Sequence, residues 1–124
     1  MLQNAPVFTS FSVDDLEAAK TFYSETLGLN VKEIPQGLSV ELAEGATCFI
    51  YLKPNHQPAT FTVLNFRVEN IEATIDELST KGIKFEQYDF METNSKGISH
   101  QEDHSIAWFS DPARNIHSII EETK

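Results

Sequence analysis

His100, Glu102 and His104 occupy alternate positions, so on a strand all three would project from one face, where they could hold a divalent metal. The competing reading is a solvated polar loop, because the surrounding stretch 92–103 is polar and contains Asn94-Ser95-Lys96-Gly97. Arg67 with Asn65, two positions apart, could hold an anionic or carbonyl group, or Arg67 could form an edge ion pair with one of the 19 acidic residues. Trp108 could stack on a planar ligand or fill a dry core. Tyr51 could donate a proton, but the sequence identifies no partner base for it. Cys48 alternates to the helix side of its strand, which favours a buried inert thiol over a nucleophile. His117 has the parity of a packed histidine, and His56 carries no specific signal.

These residues need a scaffold, and composition bounds what it can be. A chain of 124 residues suits one domain with a core, and 40% hydrophobic with 23% charged residues is ordinary globular composition. The formal charge of −10 opposes a polyphosphate partner, so neither nucleic acid nor an anionic membrane surface is expected. No apolar stretch approaches the roughly 20 residues of a membrane helix. The first residues lack the basic start and apolar run of a secretory signal. One cysteine cannot make an internal disulfide, so a cytoplasmic location is expected.

The positioning elements are legible through an internal repeat at an offset of 55 residues. Phe11/Phe66, Val13/Val68, Glu17/Glu72 and Ala18/Ala73 are identical across it, and Leu16/Ile71 is conservative. Residues 6–13 and 60–68 alternate like strands. Each then enters an acidic helix start, where Asp14 with Glu17 and Glu69 with Glu72 have capping-box spacing, and Asp15 or Asn70 is the alternative cap. Leu16, Ala19, Phe22, Tyr23 and Leu27 recur at helical spacing, as do Ile71, Ile75 and Leu78, and Gly28 and Gly82 stand where left-handed closing residues are needed. Further strands are expected at 30–35, 38–43, 46–53, 83–89, 104–110 and 115–122, with 92–103 a loop. One domain over 1–124 follows, made of a βαβββ module at 1–53, a proline-containing linker at 54–59 and a second module at 60–124.

Two segments carry a family resemblance: Phe11-Ser-Val-Asp-Asp-Leu-Glu-Ala-Ala-Lys-Thr-Phe-Tyr-Ser-Glu-Thr-Leu-Gly-Leu29 and Trp108-Phe-Ser-Asp-Pro-Ala-Arg-Asn-Ile116. Over essentially its whole length the chain resembles the vicinal oxygen chelate superfamily of glyoxalases, bleomycin-resistance proteins and extradiol dioxygenases. The resemblance implies an α+β fold, in which two tandem βαβββ modules form a cup-shaped, mostly antiparallel sheet with helices outside. One departure stands out: the family's glycine before the asparagine is Arg114 here, so either that residue is strained or the turn differs.

By alternation, Val7, Thr9, Phe11 and Val13 would meet the helix, as would Leu64, Phe66 and Val68. The ligand-facing set would be Phe8, Ser10, Phe49, Tyr51, Val63, Asn65, Arg67, Trp108 and Ser118. The resemblance places the family's metal ligands at Phe8, Tyr51, Val63 and Ser118, a set that lacks the donors a divalent cation needs. The expectation is therefore a protein that binds a small, partly apolar or aromatic molecule and uses no cofactor. The alternative is a metal-dependent lyase, isomerase or dioxygenase with a divalent metal, so the sequence leaves enzymatic activity open. A vestigial regulatory module is a third reading, and the family resemblance also implies a homodimer.

Overall fold

The computed structural model describes residues 1–88 and 92–123. Its residues group into two compact units, 1–57 and 58–124, and the division falls within the proline-containing stretch read as a linker.

In the first unit, β1 (Thr9–Val13) leads into α1 (Leu16–Thr21), which runs on through a wider π-helical turn at Phe22–Thr26. Strands β2 (Asn30–Ile34), β3 (Gly37–Glu41) and β4 (Thr47–Leu52) follow. The sheet order is β1-β4-β3-β2, with β1 and β4 parallel and the other pairs antiparallel. The second unit repeats this plan with β5 (Thr62–Arg67), α2 (Ile71–Thr80), β6 (Ser99–His100), β7 (His104–Ser110) and β8 (Ile116–Glu122), ordered β5-β8-β7-β6. The fold is thus α+β, with two tandem modules of one topology.

The same local chemistry starts both helices. Asp15 accepts from the Ala18 amide at 3.0 Å, and Asn70 accepts from the Ala73 amide at 3.0 Å. The cap is therefore the second residue of each polar pair, whose extended backbone aims its side chain at an orphan helical amide. Alternation then divides each sheet. Phe11, Val13, Leu38, Val40, Cys48 and Ile50 are buried with Ala19 and Tyr23, as are Ala107, Phe109 and Ile119 with Ile71 and Ile75. Gly37 has a specific cause: a Cβ there would lie 2.2 Å from the Ile50 carbonyl oxygen.

Three expectations need correction. Val7 is 87% exposed, because β1 begins only at Thr9, itself exposed. Residues 83–88 form no regular strand; they touch the sheet through the Glu86 amide, which donates to the Trp108 carbonyl at 2.8 Å, and residue 89 of the expected strand lies outside the described residues. The short strand pairing with β7 is β6, inside the stretch read as a loop. Arg114 does occupy the left-handed region, at φ 68°. Its turn is held by Asp111, whose two carboxylate oxygens accept from the Asn115 backbone amide at 2.8 Å and side-chain amide at 3.0 Å.

Candidate functional site

Each unit leaves one sheet face without a helix. On the first unit's open face, Ser39, Phe49 and Ser10 form a row across β3, β4 and β1. Phe49 and Tyr51 stack beside it, with centroids 5.7 Å apart and an interplanar angle of 21°. Phe8, Phe49, Ile34, Gln36 and Ser39 line a cleft of about 410 Å³ here. Ser12 hydrogen-bonds through Oγ to His56 Nδ1 at 2.6 Å, joining β1 to a residue that carried no signal in the sequence. Cys48 contributes no nucleophile, since burial pushes its thiol up to about 12.

On the second unit's open face the corresponding row is Asn65, Ser118 and Trp108. Ser118 is wholly buried and donates its hydroxyl to Asn65 Oδ1 at 2.6 Å. In pairing register Ser118 faces Asn65 as Phe49 faces Ser10, so Phe49, and not Tyr51, is its counterpart in the first module. Strict alternation fails near Val63, where the pairing register shifts between Thr62 and Leu64. Thr62 therefore reaches the open face, and its Oγ1 accepts from the Trp108 indole N–H at 3.2 Å. Arg67 takes the edge ion pair, with Nε 2.6 Å from Glu122 Oε1.

Trp108 lines a cleft of about 340 Å³ with Tyr88, Phe61, Thr60, Thr62 and Ile116. Its ring lies 5.6 Å from that of Tyr88, at 67°. The Tyr88 hydroxyl donates to Glu86 Oε2, and the Ser110 hydroxyl donates to Glu86 Oε1 at 2.6 Å. Burial, and then the Glu86 carboxylate, raise the Tyr88 phenol well above the usual tyrosine range, so it stays neutral. Sequence reasoning missed Glu86, Tyr88 and Ser110. Their spacing offered one hint, since Glu86 and Tyr88 are two apart, but nothing in sequence brings Ser110 to the Glu86 carboxylate.

The metal readings fare differently. His100 ends β6 and hydrogen-bonds Ser105 through Nδ1 at 2.8 Å, whereas His104 begins β7 and its Nδ1 lies 2.6 Å from Asp103 Oδ1. A turn separates the two histidines, so the one-faced triad with Glu102 does not form on a continuous strand. Among the described residues no group of three or more His, Cys, Asp or Glu side chains could hold a metal. At the positions where the sequence resemblance would put ligands, Phe8 and Val63 have no donor atom and the Ser118 hydroxyl is bonded to Asn65. That donor set does not fit a divalent cation. His117 is a packed histidine: fully buried, 5.7 Å from the Phe109 ring centroid, with Nδ1 accepting from the Leu64 amide at 3.3 Å.

The sequence profile of the Glyoxalase/Bleomycin resistance protein/Dioxygenase superfamily matches residues 6–116, and the chain belongs to that superfamily. Solved structures agree on the fold. A glyoxalase family protein from Enterococcus faecalis is 21% identical, with TM-score 0.73 over 98% of this chain and 100% of that one. A superfamily member from Alicyclobacillus acidocaldarius is 16% identical, with TM-score 0.69 over 100% of this chain and 96% of its own. An antibiotic-binding protein from a Streptomyces species is 20% identical, with TM-score 0.69 over 98% of this chain and 99% of its own. No curated protein matches the sequence.

Proposed function

We propose that this protein binds a small, partly apolar or aromatic molecule and does so without the superfamily's divalent metal. One observation carries the reading: Trp108 is half-buried in an open-face cleft of about 340 Å³, where its indole N–H already has a partner and the described lining is aromatic, aliphatic and hydroxyl-bearing. A mostly apolar concavity with a few placed polar groups is the usual form of a small-molecule site. The antibiotic-binding structural relative supports the same class of activity. The metal-free part of the proposal rests on the donor set at Phe8, Val63 and Ser118.

Elemental analysis of protein prepared without chelator tests the second part, with no stoichiometric zinc, iron, nickel or manganese expected. Near-stoichiometric metal would replace this reading with the metal-dependent enzyme. A fluorescence screen tests the first part, because Trp108 is the sole tryptophan. Ligands should change its emission, and silence across a broad panel of apolar and aromatic compounds would sink the proposal. The family resemblance to dimers extends the proposal to a homodimer. Met1, Leu2, Val7 and Phe8, all exposed and apolar, supply a surface that association could cover. Light scattering should return about twice the 14.0 kDa chain mass.

A further inference from the structure

The cleft of the second unit has a chemical bias that a purely apolar pocket lacks. Trp108 and Tyr88 meet at 67° with their centroids 5.6 Å apart, forming two walls of a corner. Phe61, 69% exposed, adds a third aromatic group to the lining. Both polar rings have their hydrogen engaged, the indole donating to Thr62 and the phenol to the Glu86 carboxylate. Donation to a carboxylate raises the electron density of the phenol ring, and so strengthens its negative face. Glu86 itself is half-buried and accepts from both the Tyr88 and the Ser110 hydroxyls. Among the described residues none that lines the cleft is charged, and the chain as a whole carries −10.

We infer that this cleft selects cationic ligands, specifically alkylated ammonium groups, over neutral or anionic molecules of the same shape. Aromatic faces attract a cation through their quadrupoles, and a quaternary ammonium loses less hydration than a primary one on entering such a corner. The carboxylate bonded to the Tyr88 hydroxyl adds a favourable field without the desolvation cost of a direct ion pair. An anion would meet the same field as a repulsion. This inference rests on the small-molecule reading of the same site and names its ligand class.

Three probes of matched shape test it: choline, its neutral carbon isostere dimethylbutanol with tert-butyl in place of trimethylammonium, and the anion isethionate. The readout is the indole N–H resonance of Trp108, the single such signal in the protein, followed by titration. Choline should bind about tenfold more tightly than dimethylbutanol, the ratio expected of one desolvated cation–π site, and isethionate should leave the resonance unmoved. Glu86→Gln should reduce the ratio to about threefold, and Tyr88→Phe, which keeps the ring and loses the hydroxyl, should weaken choline by a few-fold; the second variant decides if the first does not fold. Equal or tighter binding of dimethylbutanol would overturn the cation inference and leave small-molecule binding standing. Choline without effect on the indole also overturns it, whereas silence of a broad apolar and aromatic panel removes the underlying reading as well.

Discussion

The two modules share their helix-facing sides and differ on their open sides. Phe11 and Phe66, Val13 and Val68, and the paired caps Asp15 and Asn70 do the same work at the same offset. Across the open faces the row Ser10–Phe49–Ser39 stands against Asn65–Ser118–Trp108, and at equivalent positions Ser12 bonds His56 while Arg67 pairs with Glu122. Helix-side residues must satisfy a close-packed interior, so few alternatives are tolerated there. Open-face residues meet solvent or ligand, and can diverge without loss of the fold. The difference supports the proposal that ligand binding belongs to the diverged side.

The sharpest way to break that comparison is to truncate large side chains on both sides. Tyr23→Ala and Phe109→Ala, each removing a buried helix-side aromatic, should cost about 3–4 kcal/mol in urea unfolding. Phe49→Ala, on an open face, should cost less than half as much, and equal costs would dissolve the distinction between the faces.

A second contrast concerns His117, for which the first module has no histidine at the corresponding place. Burial lowers its pKa from 6.5 to about 4, with the Asp111 charge acting in the other direction. The unfolded state then binds a proton that the folded state refuses. Stability should be complete above about pH 6.5 and fall as pH drops toward 4, by up to about 1.4 kcal/mol per pH unit. His117→Gln should flatten that slope, and an unchanged slope would locate the acid sensitivity elsewhere.

The caps predict equality between the modules. Asp15→Ala and Asn70→Ala should each lower stability by about 1 kcal/mol, since each removes one 3.0 Å bond to a helix N-terminal amide. The smallest effect belongs to the second module alone. Arg114→Gly should raise thermal stability by up to about 1 kcal/mol, because glycine accepts φ 68° without a Cβ clash. A destabilisation there would mean that the arginine side chain contributes more than its backbone strain removes.

Much of this was readable beforehand. Strands 30–34, 47–52, 104–110 and 116–122 fall within two residues of their expected bounds, because alternation and turn residues are local signals. The cap residues were present as alternatives, and only the extended backbone at Asp15 and Asn70 selected them. The register shift between Thr62 and Leu64 was not readable, because one extra residue leaves the composition of a strand unchanged while moving its side chains to the other face. Nor was the irregular path of 83–88, whose apolar alternation is real but is satisfied by Ile83 and Phe85 packing inward without a ladder.

The sequence by itself determined the repeat, the order of helices and strands around it and the burial of residues such as Phe11, Val13, Ile50 and Phe109, since these depend on periods of 2 and 3.6 and on neighbours a few residues apart. Only the tertiary structure decided the partners of the open-face side chains. Trp108 with Thr62, Ser118 with Asn65 and Ser12 with His56 join residues 46, 53 and 44 positions apart. Such meetings depend on strand register and loop path, which one inserted residue can change and no local pattern records.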